Sequence, residues 1–288
     1  MTNEIIDIAD LDCIYLTYDE PNREANWIKI QNMVPWAKRV DGVKGSDAAH
    51  KAAANASDTD RFILIDGDNI PDPSFFNLQL SLDSTNRDCV FRWRAKNAIN
   101  GLQYGNGGLS CWTKEFVLNM KTHEASTSDR AQVDFCWEDG YKQFKECYSD
   151  TIITGSPFQA WRAGFREGVK MTLLDGVKVA PDEIKEKIWW HNLHRLKLWS
   201  TIGTHEENGI YAILGARLGT WMTNCTDWDY INVRDFEVLK NIYEENTNHT
   251  FVKEDVQDLG VRLQQQLGFN YPYLDANQSK YTLDLYEE

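Results

Sequence analysis

The residues RFILIDGDN, from Arg61 to Asn69, indicate the fold of this chain. The continuous apolar run from Phe62 to Ile65 is typical of a strand that is buried on both faces of a parallel sheet. Asp66 and Asp68 follow the strand directly, with one glycine between them. Open α/β sheets bind ligands at the carboxyl edge of their strands. The sequence therefore predicts a ligand site at the end of this strand.

The segments before this strand alternate between strand-like and helix-like patterns. A β-branched and aromatic run predicts a strand over Leu11–Tyr18, and apolar residues at helical spacing predict a helix around Trp27–Val34. A short strand is expected at Arg39–Gly42, followed by an alanine-rich helix for which Ser46 is the expected N-cap. This alternation is typical of an α/β sheet with crossover helices.

The segments after Asn69 extend this interpretation. We expect a helix over Pro71–Leu80, a strand over Cys89–Trp93 and a glycine-rich loop at Tyr104–Gly108. From Pro181 onward the patterns are helical only. The sequence thus predicts an α/β core over residues 1–175 and a mainly helical C-terminal extension over residues 176–288.

Composition excludes several classes of protein. With 288 residues, 42% of them hydrophobic, the chain can bury a large core and is not disordered. The formal net charge of -14 argues against coating of nucleic acid or anionic membrane by the whole surface. Residues 161–199 are the exception, with eight basic and five acidic residues and several aromatic ones. Such a segment is able to hold phosphates, sugars or bases, or to form a solvated helix face over a core.

Location and redox state are also expectations from sequence. No apolar run reaches the ~20 residues of a membrane span, and the acidic start does not have the pattern of a signal peptide. We therefore expect a cytoplasmic protein with no membrane partner. The six cysteines contain no CxxC pair and are expected to be buried free thiols.

The pair Asp66 and Asp68 points to metal chemistry. Two carboxylates on a tight turn offer oxygen ligands to Mn²⁺ or Mg²⁺, and such a cation neutralises a diphosphate. A calcium loop of the EF-hand type is excluded because Pro71 stands where that loop requires glycine. A solvated acidic turn is the alternative.

Several motifs in their order resemble the GT-A glycosyltransferases, in particular family 2, over roughly residues 11 to 170. They are FILIDGDN, GNGGLSCW, the WEDG of residues 137–140 and the QAWR of residues 159–162. The resemblance implies a Rossmann-like GT-A mixed-sheet core and transfer of a sugar from a nucleotide-sugar donor, with a UDP-sugar as the expected one. It also implies that Asp66 and Asp68 bind the metal and the donor diphosphate.

The resemblance implies a catalytic base at the ED pair. Asp139 is the expected base, Glu138 is its neighbour in the motif, and Asp134 is the reserve. A carboxylate there would accept the proton of the acceptor hydroxyl.

By the same resemblance, Asp41, Lys44 and Lys51 are expected near the nucleotide. The family's QxxRW motif is half kept, because Gln159 and Arg162 match but Ala163 stands in place of the tryptophan. This departure argues against processive polymer synthesis. Arg162 or Arg166 is expected to contact the diphosphate as a bidentate donor.

Many GT-A enzymes add a downstream histidine as a metal ligand. The candidates in this chain are His191, His194 and His205, and the loop position of His205 favours it. A structural role is the alternative for each of the three.

The acceptor is suggested by a weaker similarity to bacteriophage glycosyltransferases, some of which modify hydroxymethylated pyrimidines in DNA. If the acceptor is such DNA, residues 91–96 and 161–199 are expected to follow its phosphates, and the base would be flipped towards Asp139. A phage-encoded enzyme would act in the host cytoplasm. A surface glycan or a small molecule is the competing acceptor.

Two alternative functions stay open. Haloacid dehalogenase-like phosphatases use a similar strand and DxD, with the first aspartate as nucleophile, but Ile70 replaces their Thr or Val. A nucleotide-binding or assembly module without activity is the other alternative. The sequence leaves open the oligomeric state and whether the anomeric centre is inverted or retained.

Overall fold

A computed structural model of the chain describes residues 4–105, 108–128, 133, 140–247 and 249–287. These residues divide into two compact units. The first unit contains the described residues of Met1–Ala98, Gln103–Thr127 and Asp134–Ile152. The second contains those of Ile99–Leu102, Ser128–Val133 and Ile153–Glu288. The main division therefore follows Ile152, earlier than the boundary at residue 175 that the sequence suggested.

The first unit contains most of the strands. They are β1 (Glu4–Asp7), β2 (Asp12–Thr17), β3 (Lys38–Asp41), β4 (Arg61–Asp66), β5 (Asn69–Pro71), β6 (Gln79–Leu82), β7 (Val90–Asn97), β8 (Gln103–Tyr104), β9 (Leu109–Thr113) and β10 (Tyr141–Thr151). Its described helices are α1 (Arg23–Met33), α2 (Ser46–Ala56) and α3 (Lys114–Asn119), with short 3-10 helices at Ile8–Asp10 and Pro73–Asn77.

Eight of these strands form one mixed sheet in the described part of the chain. The order is β3-β2-β4-β9-β7-β10-β5, and β8 pairs with β7 at the side. Strand β2 is parallel to both β3 and β4, and β7 is parallel to β10, whereas β9 runs antiparallel to both of its neighbours. The structure thus confirms the expected α/β class with a mixed sheet.

Strand β4 is buried on both faces, as its apolar run predicted. Phe62 and Leu64 pack on one face with Ala53 and Ala54 of α2. Ile63 and Ile65 pack on the other face with Ile30 of α1 and Phe75. Fully buried apolar side chains of this size each contribute ~1.5–3 kcal/mol. The strand that carries Asp66 is therefore fixed from both sides.

The predicted helix over Pro71–Leu80 is wrong. The chain forms the end of β5, the 3-10 helix Pro73–Asn77 and then β6, which pairs with β1. The 3-10 helix begins at Asp72, whose carboxylate accepts from the Ser74 amide at 2.7 Å. Alternate burial along Gln79–Leu82 is the period of a strand rather than of a helix.

Helix α2 begins one residue earlier than the sequence suggested, with Gly45 as its N-cap at a φ of +92°. A side chain distant in sequence satisfies the first amides. The Glu124 carboxylate accepts from the Ser46 amide at 2.9 Å and from the Asp47 amide at 3.2 Å. An acidic group at this end is stabilised by the helix dipole.

The second unit is mainly helical, as predicted. Its described helices are α4 (Pro157–Lys170), α5 (Ile184–Lys187), α6 (Trp190–Trp199), α7 (Gly209–Cys225), α8 (Phe236–Asn246), α9 (Val252–Leu267) and α10 (Ala276–Glu287), with 3-10 helices at Pro181–Glu183 and Tyr230–Arg234. A small hairpin pairs β11 (Leu173–Leu174) with β12 (Val177–Lys178).

Helices α4 and α7 pack with their backbones in close contact. A Cβ atom added to Gly164 or Gly168 would overlap the carbonyl oxygens of Ala212 or Ala216. Gly215 and Gly219 face Trp161 and Phe165 in the same way. Glycines four residues apart on both helices thus allow this approach.

Candidate functional site

The turn after β4 is held by the backbone on both sides. The Asp66 amide donates to the Gly108 carbonyl at 2.8 Å, and the Asp68 carbonyl accepts from the Ile152 amide at 2.7 Å. Strand β5 begins immediately after the turn, at Asn69. The two aspartates therefore lie on a short, fixed connection between two strands of the sheet.

The Gly67 carbonyl is bound by two buried side chains. The Tyr15 hydroxyl of β2 donates to it at 2.8 Å, and the Asn26 amide of α1 donates at 3.0 Å. Tyr15 is also stacked against Trp27, with ring centroids 5.8 Å apart. A Cβ atom at Gly67 would lie 2.7 Å from the Glu20 carboxyl group. A larger residue between the two aspartates would therefore displace the Glu20 carboxyl group.

Three carboxyl groups converge at this turn. Burial, with the charges of Asp68 and Glu20, raises the pKa of Asp66 well above its usual range. Burial also raises the pKa of Glu20, and Asp68 adds to the effect. The Glu20 carboxylate accepts from the Tyr18 amide at 2.8 Å, which fixes it next to Gly67. Like charges this close favour a bound cation or a retained proton.

The oxygen donors of this cluster fit a divalent metal. Within the described ranges, no three His, Cys, Asp or Glu side chains form a ready-made metal-binding group. Mg²⁺ binds through one or two carboxylates and completes its shell with water and substrate phosphates. Asp66 and Asp68 are the residues that would hold such a metal.

Asn69 extends the turn on the side of β10. Its amide nitrogen donates to Asp68 at 2.9 Å, and its amide oxygen accepts from the Ser149 hydroxyl at 3.0 Å. Gly108 lies next to the turn and has a φ of +79°. A Cβ atom at Gly108 would lie 2.8 Å from a carboxylate oxygen of Asp66. The backbone at Gly108 thus lies so close to Asp66 that a side chain at this position would overlap it.

Asp41 lies at the same edge of the sheet as the aspartate turn. Thr17 pairs with Asp41 across β2 and β3, and Leu16 pairs with Asp66 across β2 and β4. Because adjacent strands are ~4.8 Å apart, Asp41 is roughly two strand spacings from Asp66. The structure brings these two residues to one edge.

The Asp41 carboxylate is anchored by its neighbours. The Thr17 hydroxyl donates to it, and Arg39 donates at 3.1 Å. The Thr17 hydrogen bond and the charge of Arg39 lower the pKa of Asp41. Arg39 itself is held by two hydrogen bonds to Glu24, at 2.8 and 2.7 Å. This ordered, ionised group is suited to accept hydrogen bonds from a nucleoside.

The two lysines predicted near the nucleotide differ in their surroundings. Lys44 is exposed in the loop after β3. Lys51 forms an ion pair of 2.6 Å with Asp47, one turn earlier in α2.

The predicted diphosphate ligands lie in the second unit, at the start of α4. Gln159 is buried, and its side-chain oxygen accepts from the Gly155 amide at 3.0 Å. The Arg162 guanidinium lies over the Phe236 ring at 4.4 Å, and that of Arg166 lies over the same ring at 5.4 Å. Gln159 thus contributes to the helix start, and Phe236 orders the two guanidinium groups.

His205 is also in the second unit, in the loop before α7. Its Nδ1 atom is 2.9 Å from the Ser279 hydroxyl, and its buried Nε2 atom has no hydrogen-bond partner among the described residues. Burial lowers the pKa of His205, and this favours the neutral ring. The Glu206 carboxylate lies 3.9 Å from the same Nε2 atom, so the His205 ring is enclosed by protein groups. His191 and His194, the other candidates, lie on α6.

The predicted bases Glu138 and Asp139, and the reserve Asp134, lie outside the described residues.

The basic stretch at residues 91–96 is described. It places Arg92, Arg94 and Lys96 at alternate, half-buried positions of β7, with the Arg92 guanidinium 4.7 Å from the Tyr141 ring centroid.

Five cysteines of the described residues are free thiols, and three of them are buried as expected, whereas Cys147 and Cys225 are half-buried. No helix in the described ranges is long and apolar enough to cross a membrane.

Comparisons with protein-family models, with curated proteins and with solved structures gave no match.

Sequence reasoning did not identify several residues of this site. Tyr15 lies in β2, Glu20 in the loop after β2, and Asn26 in α1. These residues meet the turn only because β2 pairs in parallel with β4. The one available signal was the position of Glu20 just after a strand.

Proposed function

We propose that this protein is a divalent-metal-dependent glycosyltransferase that uses a nucleotide-sugar donor. The observation that carries the proposal is the carboxylate turn of Asp66, Asp68 and Glu20 at the carboxyl edge of parallel strands. Asp41 lies at the same edge, two strands away. A metal-diphosphate group at the turn and a nucleoside near Asp41 would use both features of this edge.

In this proposal Asp66 and Asp68 hold Mn²⁺ or Mg²⁺. When bound, the metal supplies charge stabilisation for the leaving diphosphate. Tyr15 and Asn26 keep the turn in place through the Gly67 carbonyl. Asp41, fixed by Thr17 and Arg39, orients the nucleoside, for which a uridine diphosphate sugar is the first donor to test.

The remaining roles follow from the family resemblance. Asp139, or its neighbour Glu138, would accept the proton of the acceptor hydroxyl if the enzyme inverts. Arg162 and Arg166, expected to pair with the diphosphate, and His205, expected as a metal ligand, belong to the second unit, and these roles stay predictions. The GT-A topology is part of the same proposal.

Release of nucleoside diphosphate from a panel of nucleotide sugars, measured with and without Mn²⁺, tests the reaction. We expect release that requires the metal and is lost in Asp68→Asn. Asp10→Asn changes an exposed carboxylate of the same unit and should release diphosphate as the wild type does. Phosphate release from a phosphomonoester, lost in Asp66→Asn, would instead support the phosphatase alternative. Absence of any turnover would leave a binding module.

The acceptor is tested in the same assay. Hydroxymethylated DNA, unmodified DNA of the same sequence and simple sugars are added in turn. Faster release with hydroxymethylated DNA alone would establish the DNA acceptor, and faster release with sugars would establish the glycan or small-molecule acceptor.

A further inference from the structure

Two tryptophans of the second unit are unusually exposed. Trp190, the first residue of α6, is 77% exposed, and Trp189 before it is 54% exposed. Tryptophan side chains bury large areas when they pack, and exposed clusters of this kind mark interaction sites. These two indoles therefore form a candidate interaction surface.

The exposed face of α6 continues from the indoles as a stripe that contains one lysine, and its His194 ring also contacts the Tyr286 ring, with centroids 5.8 Å apart. Trp190, His194 and Lys197 are its exposed residues, and their spacing of four and three residues places them on one side of the helix. Arg195 lies next to this stripe and is half-buried. The helix sequence WHNLHRLKLW contains no acidic residue, although the chain as a whole carries a net charge of -14.

The two indoles are held by His191. Its ring is stacked on that of Trp189, with centroids 6.3 Å apart and planes at 14°. The same ring is perpendicular to that of Trp190, with centroids 5.9 Å apart. The indoles are thus supported in place and face different directions. A ligand that stacks on them would immobilise little additional side-chain freedom.

We infer that this aromatic-basic face, made of Trp189, Trp190, His194 and Lys197, binds single-stranded nucleic acid. Exposed aromatic rings stack on unpaired bases, and cations beside them pair with the phosphates. The positive charge of the helix within an acidic protein complements a polyanion. The inference goes beyond the transferase proposal and does not depend on it.

A bilayer surface fits this face less well. A helix that lies in a membrane interface keeps a broad apolar face towards the lipid. The apolar residues of α6 point the other way, because Leu196, Leu198 and Trp199 are buried in the second unit. Beyond the two indoles, the exposed positions are polar or basic.

The test is fluorescence anisotropy of a labelled single-stranded oligonucleotide, without metal or nucleotide sugar. We expect binding that Trp190→Ala weakens ~10-fold, as expected for loss of one stacked base. Lys197→Gln should reduce the slope of log affinity against log salt by ~0.7, as for one lost phosphate contact on a single strand. Both changes are at exposed positions, and melting curves will show that the variants fold.

The matched controls lie elsewhere in the second unit. Phe251→Ala removes an aromatic side chain that is 54% exposed, and Lys178→Gln removes an exposed lysine. Both should bind the oligonucleotide as the wild type does. No binding by the wild type, or equal losses in variants and controls, would overturn the inference.

Two further arms identify the class of partner. A duplex of the same sequence should bind more weakly than the single strand, because its bases are not free to stack. Binding to anionic phosphatidylglycerol vesicles that is lost in Trp190→Ala, with no oligonucleotide binding, would show a membrane surface and overturn the inference. Since no donor is present, failure here is distinguishable from failure of the transferase proposal.

Discussion

The hydroxyl of Tyr15 donates a hydrogen bond of 2.8 Å to the carbonyl oxygen of Gly67. This bond joins the core of β2 to the turn between the two candidate metal ligands, 52 residues away in the chain. Both partners are buried, so the bond is protected from competing water. The position of Asp66 and Asp68 thus depends on a residue outside the pair of proposed metal ligands.

Tyr15→Phe should weaken metal-dependent nucleotide binding clearly, while it lowers the stability of the fold only slightly. Loss of one buried hydrogen bond costs ~1 kcal/mol, and the Gly67 carbonyl keeps only its bond to Asn26. We expect a small decrease in melting temperature and a clear decrease in metal-dependent nucleotide binding. Tyr148→Phe is the control, because the Tyr148 hydroxyl makes no hydrogen bond to the described residues. Equal nucleotide binding by wild type and Tyr15→Phe would contradict this role.

Gly108→Ala tests the close approach of the glycine loop to the aspartates. Gly108 and Gly105 both have positive φ, at +79° and +63°, so alanine is strained by ~1–2 kcal/mol at either position. A Cβ atom at Gly108 would overlap Asn69 and Asp66, whereas one at Gly105 meets no atom of the described residues within 4 Å. We expect Gly108→Ala to abolish metal-dependent binding and Gly105→Ala to lower only the melting temperature. Similar binding in both variants would be evidence against a close-packed site.

Gly164→Ala should destabilise the second unit, although helix propensity alone favours alanine by ~1 kcal/mol. The added Cβ would overlap the Ala212 carbonyl oxygen on α7, so the two helices must separate. Overpacking of this kind costs ~1–3 kcal/mol. Urea denaturation followed by circular dichroism measures the free energy of unfolding. A more stable variant would show that α4 and α7 are not in backbone contact.

The stability of the first unit should depend on pH through His50. Burial lowers the pKa of His50, although the hydrogen bond to the Ser46 carbonyl and the charges of Asp47 and Glu124 oppose the shift. A folded-state pKa below the unfolded value of ~6.5 means that the unfolded chain binds the proton more readily. The contribution of neutral His50 to the free energy of unfolding is therefore fully present above pH ~6.5. It is lost as the pH falls through the pKa of His50 in the folded protein.

Urea unfolding at a series of pH values between 5 and 7.5 measures this dependence. His50→Gln should flatten the dependence of the unfolding free energy on pH in this window. A variant His50→Gln with the same pH dependence as the wild type would contradict the assignment.

The sequence predicted what local patterns determine. The apolar run of β4, the β2 and β3 strands and the helical second unit are all confirmed, because burial on two faces and helical spacing leave clear patterns. The aspartate turn was found because its residues are adjacent in sequence.

Features that depend on contacts distant in sequence were missed. Strand β6 exists because it pairs with β1, some 75 residues earlier, and the capping of α2 by Glu124 joins residues 78 apart. Glu20 and Tyr15 reach the turn through the same kind of long-range pairing. No local pattern encodes which strands become neighbours.

The most direct test of the central claim is thermal unfolding with uridine diphosphate, other nucleoside diphosphates and their sugars, each with and without Mn²⁺. A ligand at 100 times its dissociation constant stabilises the fold by ~2.7 kcal/mol, which gives a measurable increase in melting temperature. We predict an increase that requires both the metal and one nucleotide, that is lost in Asp68→Asn and that is kept in Asp10→Asn. No increase with any nucleotide, or an increase that Asp68→Asn retains, would contradict the proposed donor site.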